Sequence, residues 1–188
     1  MPIILPKVRV PRHYIKGPLF FLLGPVLGGG DWQRKCCELL FQNVGDCWIV
    51  NPCRYESGHP LFKHRATKGT VDNDSHQLDW ERLYLALANQ TGCIIAWLPN
   101  ESKTHPRTDG EPYACDTRGE LGEWRGRMIF SEIRPLVLGA DPGFPGLKNI
   151  TRNFQLAFSD PTFPIYSTLE ETVDAAIAMV GSFHRMAK

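Results

Sequence analysis

The chain has 188 residues, 43% of them hydrophobic and 22% charged, with a formal net charge of +1. That length predicts one domain with a sizeable core, and the composition excludes extended disorder. Near-neutral charge leaves no basic surplus for a phosphate backbone, so no nucleic-acid partner is expected.

Residues 1–17 read as an N-terminal extension. Its basic residues precede an apolar run at 18–27 that loosely imitates a secretory signal, but Pro18, Gly24 and Pro25 interrupt it. Residues 19–23 read as a buried strand, followed by a glycine-rich turn and a helix at 31–42. A strand at 47–50 ends at Asn51-Pro52, and 54–75 is polar and irregular. A helix is predicted at 76–89, a strand at 93–98 stopped by Pro99, and a polar loop at 100–115. A helix at 117–127, a strand at 136–138, a short fifth strand at 163–166 and a helix at 169–185 complete the chain. Leu169, Val173, Ala176, Val180 and Phe183 form the apolar stripe of that last helix, with Thr168 and Glu171 as its capping box.

Six cysteines without a Cys-x-x-Cys pair read as buried free thiols, which places the chain in the cytoplasm. No segment approaches the ~20 apolar residues of a membrane span, so no membrane partner is expected. Apolar strands alternating with helices predict an α/β fold, a mostly parallel five-stranded sheet covered on both faces. Ligands of such folds bind beyond the carboxyl ends of the strands. The long loops, at 24–30, 54–75, 100–115 and 139–148, leave that edge, and glycine and proline concentrate in them.

Several residues there carry possible chemistry. The loop Gly24-Pro25-Val26-Leu27-Gly28-Gly29-Gly30 leads into a helix N-terminus, which suits an anion, or is simply a flexible connector. In helix 76–89, Asp79 and Arg82 face water and could pair. Glu81 falls inside the apolar arc, where a carboxylate is costly unless partnered or used. A salt bridge to a neighbouring helix would account for it equally. Asp116 precedes Thr117 and Glu120, which have capping-box spacing, and Gly119 and Gly122 flank Glu120 as if to leave room for a ligand. No metal site is evident: His59 and His64 lack a ligand pattern.

Taken in order, these pieces resemble the nucleoside 2-deoxyribosyltransferase-like family. They are Phe20-Phe21-Leu22-Leu23-Gly24-Pro25, Trp32-Gln33, Asn51-Pro52-Cys53-Arg54, Gln77-Leu78-Asp79-Trp80-Glu81, Ile94-Ile95-Ala96-Trp97-Leu98-Pro99 and Arg118-Gly119-Glu120-Leu121-Gly122. The resemblance implies a flavodoxin-like, three-layer sandwich that cleaves or transfers the N-glycosidic bond of a nucleoside or nucleotide without a cofactor, in a homo-oligomer. It casts Glu120 as the nucleophile, Glu81 as the acid that serves the base (Asp79 in its place otherwise) and Asp116 as the residue that holds the sugar. Such chemistry needs an anion on one face of an oxocarbenium-like centre and a proton for the leaving base. The helix dipole would keep Glu120 ionised in a first turn, and apolar surroundings would raise the pKa of Glu81. Gly24, Pro25, Gly28, Gly29, Trp32, Asn51, Arg54, Asp79, Trp97 and Thr117 are the expected substrate contacts. Trp32, Trp97 or Tyr113 would stack on a base, unless they are core. Cys53 and the long loops depart from the pattern. The same family includes monophosphate hydrolases, for which Arg54, Lys63, His64 and Arg65 would serve a phosphate, and a non-catalytic nucleotide-binding module is the remaining alternative.

Overall fold

The computed structural model describes residues 1–74, 76–131 and 134–186, the side chains of 183–186 excepted. Three uninterrupted apolar runs form its longest strands: β3 (Leu19–Leu23), β6 (Cys93–Leu98) and β7 (Leu136–Ala140), every residue of them buried. The others are β1 (Ile3–Ile4), β2 (Val8–Arg9), β4 (Trp48–Val50) and β5 (Thr70–Val71). The helices are α1 (Trp32–Asn43), α2 (Gln77–Thr91), α3 (Cys115–Met128), α4 (Leu147–Phe158) and α5 (Leu169–Met186). The main sheet has the order β1-β4-β3-β6-β7, with every pairing parallel. The run that loosely imitates a secretory signal thus supplies the central strand, β3.

Side chains alternate across this sheet with the period of two that a strand imposes. Phe21, Leu23, Ile94 and Ala96 pack with the apolar faces of α2, α3 and α4, whereas Phe20, Leu22, Ile95 and Trp97 pack with α1 and α5. These are the two outer layers of a three-layer, flavodoxin-like α/β sandwich. The apolar stripe of α5 is buried at Leu169, Val173, Ala176 and Val180; the Phe183 side chain lies outside the described ones. Thr168 Oγ1 caps the amide of Glu171 at 3.2 Å, and Glu171 reaches back to the amide and hydroxyl of Ser167.

The fifth strand is not at 163–166. Tyr166 makes only an isolated bridge with Gly139, and Pro161 and Pro164 remove the donors a longer ladder needs. The fifth strand is β1, at the opposite edge. The first 17 residues are therefore part of the fold: Ile3 and Ile4 are fully buried. Beyond them, the carbonyl of Val8 accepts from Trp80 Nε1 and Tyr84 Oη, strapping the chain across α2. The 139–148 region, expected to be a loop, holds the end of β7 and the start of α4. All six cysteines are free, with five buried and Cys115 partly exposed. Among the described residues, no helix is long and apolar enough to cross a membrane.

The turn from α2 into β6 depends on one small residue. A Cβ on Gly92 would run into the backbone carbonyl and nitrogen of Leu19, in the neighbouring central strand. Backbone in a parallel ladder cannot step aside, and overpacking of this kind costs ~1–3 kcal/mol or more. Gly92→Ala is expected to lower the urea midpoint without changing the slope, with a stability loss of about 3 kcal/mol.

Candidate active site

A cleft of about 490 Å³ opens beyond the carboxyl end of β3 and lies between the first turns of α2 and α3. That size suits a small organic ligand. Its apolar walls come from Phe21, Leu23, Val26, Leu27 and Leu78; its polar groups are Arg54, Gln77, Glu81, Arg107, Asp116, Thr117 and Glu120. Of the residues singled out in the sequence, Gly24, Pro25, Arg54, Glu81, Asp116, Thr117 and Glu120 line it. The placement follows from topology, because a parallel sheet sends every strand-to-helix loop to one edge.

The loop after β3 is pinned from below. Trp32 Nε1 and Gln33 Nε2 both donate to the Pro25 carbonyl, at 3.0 and 3.1 Å. A Cβ on Gly24 would meet the Trp32 ring at 2.6 Å and also the Trp97 carbonyl, so only glycine lets the loop pass here. Gly28 takes φ of 78°, open chiefly to glycine.

Six expected contacts are not brought to the cleft. Gly28 packs against Tyr113 and the amide of Arg107, and Gly29 against the Pro25 carbonyl. Their smallness is used in packing rather than in a cradle for an anion. Trp32 and Trp97 belong to the core on the α1 and α5 face, where the alternation of the sheet puts Trp97. Asn51 is fully buried and serves the chain itself, accepting from the Cys53 amide and donating to Tyr55 Oη. Asp79 is exposed on α2. Tyr113 does not line the cleft either; its hydroxyl donates to the Pro99 carbonyl at 2.8 Å. Lys63, His64 and Arg65 sit beside β1, where Arg65 bridges Ile3. A Cβ on Gly119 or Gly122 would meet nothing, so these glycines make no gap in a crowded wall.

Two carboxyl groups do meet. Glu81 lies on the buried face of α2 with Tyr84, Leu85 and Ala88, and is 8% exposed. The partner that accounts for it is no cation: Glu81 accepts from Gln77 Nε2 at 2.8 Å and hydrogen-bonds the carboxyl of Glu120. Arg82 pairs with Glu123 of α3 rather than with Asp79. Glu120 is not in a capping box. Helix α3 starts two residues earlier than expected, after Ala114, which holds the left-handed conformation at φ 58°. Thr117 is therefore a buried helical residue, and Glu120 sits in the second turn, beyond the reach of a first-turn dipole. Burial, with Glu81 and Asp116 nearby, pushes the Glu120 carboxyl up to about 8. Burial raises Glu81 also. Two acids in contact cannot both ionise cheaply, so the pair favours a state in which one carboxyl keeps its proton.

The rim adds a charged clasp that the sequence did not mark. Arg107 donates to both carboxylate oxygens of Asp109, at 2.6 and 2.9 Å, and approaches Asp116 at 3.4 Å. Its side chain is only 9% exposed. Asp116, in the first turn of α3, stands 78% exposed at the cleft mouth. Nothing in the spacing of loop 100–115 distinguished Arg107 from the other charges in it. Gln77 was visible in a motif, but only its contacts give it a place.

No protein-family model matches the sequence, and no curated protein matches it.

Proposed function

We propose that this cleft cleaves the N-glycosidic bond of a nucleoside or nucleotide, passing the sugar through an ester on Glu120. One observation carries the reading: the Glu81 and Glu120 carboxyls lie together at the inner end of a ligand-sized cleft, where burial raises both. A retaining reaction needs one carboxylate and one carboxylic acid in the same site, and this pair contains both. In the step, Glu120 as carboxylate attacks the anomeric carbon. The C–N bond breaks, its electron pair goes to the base, and the base takes the proton from Glu81. Glu120 is left as a neutral ester and Glu81 as an anion. Water or a second base then displaces the sugar, with Glu81 acting as base. The two carboxyls hydrogen-bond each other, so an entering sugar must part them. Asp116 at the mouth is placed to accept from sugar hydroxyls. The apolar walls, Phe21 with Leu23, Val26, Leu27 and Leu78, take the role expected of Trp32, Trp97 and Tyr113, offering apolar cover to a base. A monophosphate substrate is the second reading, supported by Arg54 and Arg107 on the cleft walls. Cytoplasmic free thiols fit an enzyme of nucleotide metabolism, and a homo-oligomer belongs to the same proposal.

Incubation with deoxynucleosides and their 5′-monophosphates, with and without a second free base, tests the reading. Free base is expected, with exchange products for a transferase and free sugar or sugar phosphate for a hydrolase. Mass spectrometry of the stopped reaction should find the sugar on Glu120. Tight binding with no release of base from any member of the panel would favour a binding module and overturn the proposal.

A further inference from the structure

Arg54 Nη2 donates to Gln77 Oε1 at 2.7 Å, and Gln77 Nε2 donates to Glu81 Oε1 at 2.8 Å. A guanidinium has donors only. The Gln77 atom that faces it is therefore the carbonyl oxygen, which turns the amide N–H groups toward Glu81. The Pro52 carbonyl, 3.5 Å away, holds the same nitrogen from another side. The row Arg54, Gln77, Glu81 thus has a fixed direction. The proton shared by Glu81 and Glu120 has two resting places, and Gln77 makes them unequal. A donor stabilises a carboxylate more than a carboxylic acid, and a positive charge on the amide oxygen polarises its N–H further.

The other charges around the pair act the same way or on both members alike. His76, at the start of α2, favours an anion on Glu81, and Glu123 of α3 disfavours one on Glu120. Asp116 disfavours an anion on either. Arg107 is bound to Asp109 and faces Asp116.

We propose that Gln77, oriented by Arg54, is a positioning residue that keeps the shared proton on Glu120 while the cleft is empty. This deepens the glycosidic reading and takes its catalytic meaning from it. Reaction then begins with one proton crossing. The Glu120 O–H bond breaks and a Glu81 O–H bond forms, with no change in total charge. The crossing creates the nucleophile and the acid together. Arg54 lines the cleft and is exposed. A substrate acceptor that takes its N–H groups loosens Gln77 and so eases the crossing.

The test is a pH titration of ligand-free protein carrying glutamate labelled with 13C at the side-chain carboxyl, with Glu81 and Glu120 assigned from single Gln variants. In the wild type the Glu81 carbon should move in the lower step of the pair and the Glu120 carbon in the upper. In Gln77→Met the Glu81 carbon should take on about half or more of the upper-step movement, and the lower step should rise by on the order of one pH unit. Arg54→Met, which leaves the Gln77 side chain in place, should shift the curves in the same direction by less, and decides the matter alone if Gln77→Met does not fold. Curves matching the wild type overturn the proposal. The titration uses no substrate. A wild type that releases no base would therefore sink the glycosidic reading while leaving the placement of the proton standing.

Discussion

Glu120→Gln is expected to abolish base release, with a loss on the order of 10⁴-fold or more, as for removal of an enzymic nucleophile. Glutamine keeps the shape of the side chain and can donate to Glu81 as the protonated acid does, so the fold and the cleft should persist. What it cannot do is form the ester. The companion variant separates the two roles. Glu81→Gln removes a proton donor, a loss of about 10²–10⁴-fold. That loss should shrink for nucleosides whose base departs readily without a proton, because for them the acid contributes little. No leaving group rescues Glu120→Gln. Rates for a series of bases, measured on both variants beside circular dichroism, make the comparison. Near wild-type turnover in Glu120→Gln would remove the covalent mechanism, and rescue of that variant by a good leaving group would exchange the roles of the two acids.

The sequence made the strands legible wherever burial on both faces forced a continuous apolar run. Residues 93–98 have the bounds expected of them, and 19–23 likewise. It hid the elements whose existence depends on partners. β1 is two residues long and is a strand only because β4 lies beside it. The small β2 and β5 pair joins segments some sixty residues apart, which no local pattern announces. The stripe of α4 was present in Leu147, Ile150, Phe154 and Phe158, at helical spacing, but the preceding glycines and prolines read as loop. At the site, Glu81 was legible because a carboxylate in an apolar arc is an energetic anomaly on its own helix. The meeting of Glu81 with Glu120 was expected only through the resemblance. The state of Glu120 was misjudged, since its ionisation is set by burial against α2 and not by its place along α3. Trp32 and Trp97 were offered as stacking groups because an aromatic beside a loop looks available. The sheet's alternation had already turned Trp97 to the opposite face.

Stability should carry the opposite sign from activity. The Glu120 carboxyl is raised to about 8 in the fold, against ~4.3 in an unfolded chain. Between those values the native protein keeps a proton that the unfolded chain has released. The contribution of this group is therefore fully present below pH ~4.3 and is lost as pH rises through about 8, at up to ~1.4 kcal/mol per pH unit. Glutamine has no such slope. Relative to the wild type, Glu120→Gln should gain stability steadily from pH 5 to pH 8, by a few kcal/mol in all, and the difference should level off above that. Urea unfolding at one-unit intervals from pH 5 to pH 9 reads it directly. Parallel curves for the two proteins would mean that the Glu120 carboxyl is not raised, and the shared proton would go with it. A gain in stability on removing a buried acid is what a functional site predicts and a structural one does not. A carboxyl that served only to hold α2 against α3 would weaken the protein when replaced. One kept at a cost, beside a second acid, is what the proposed chemistry requires.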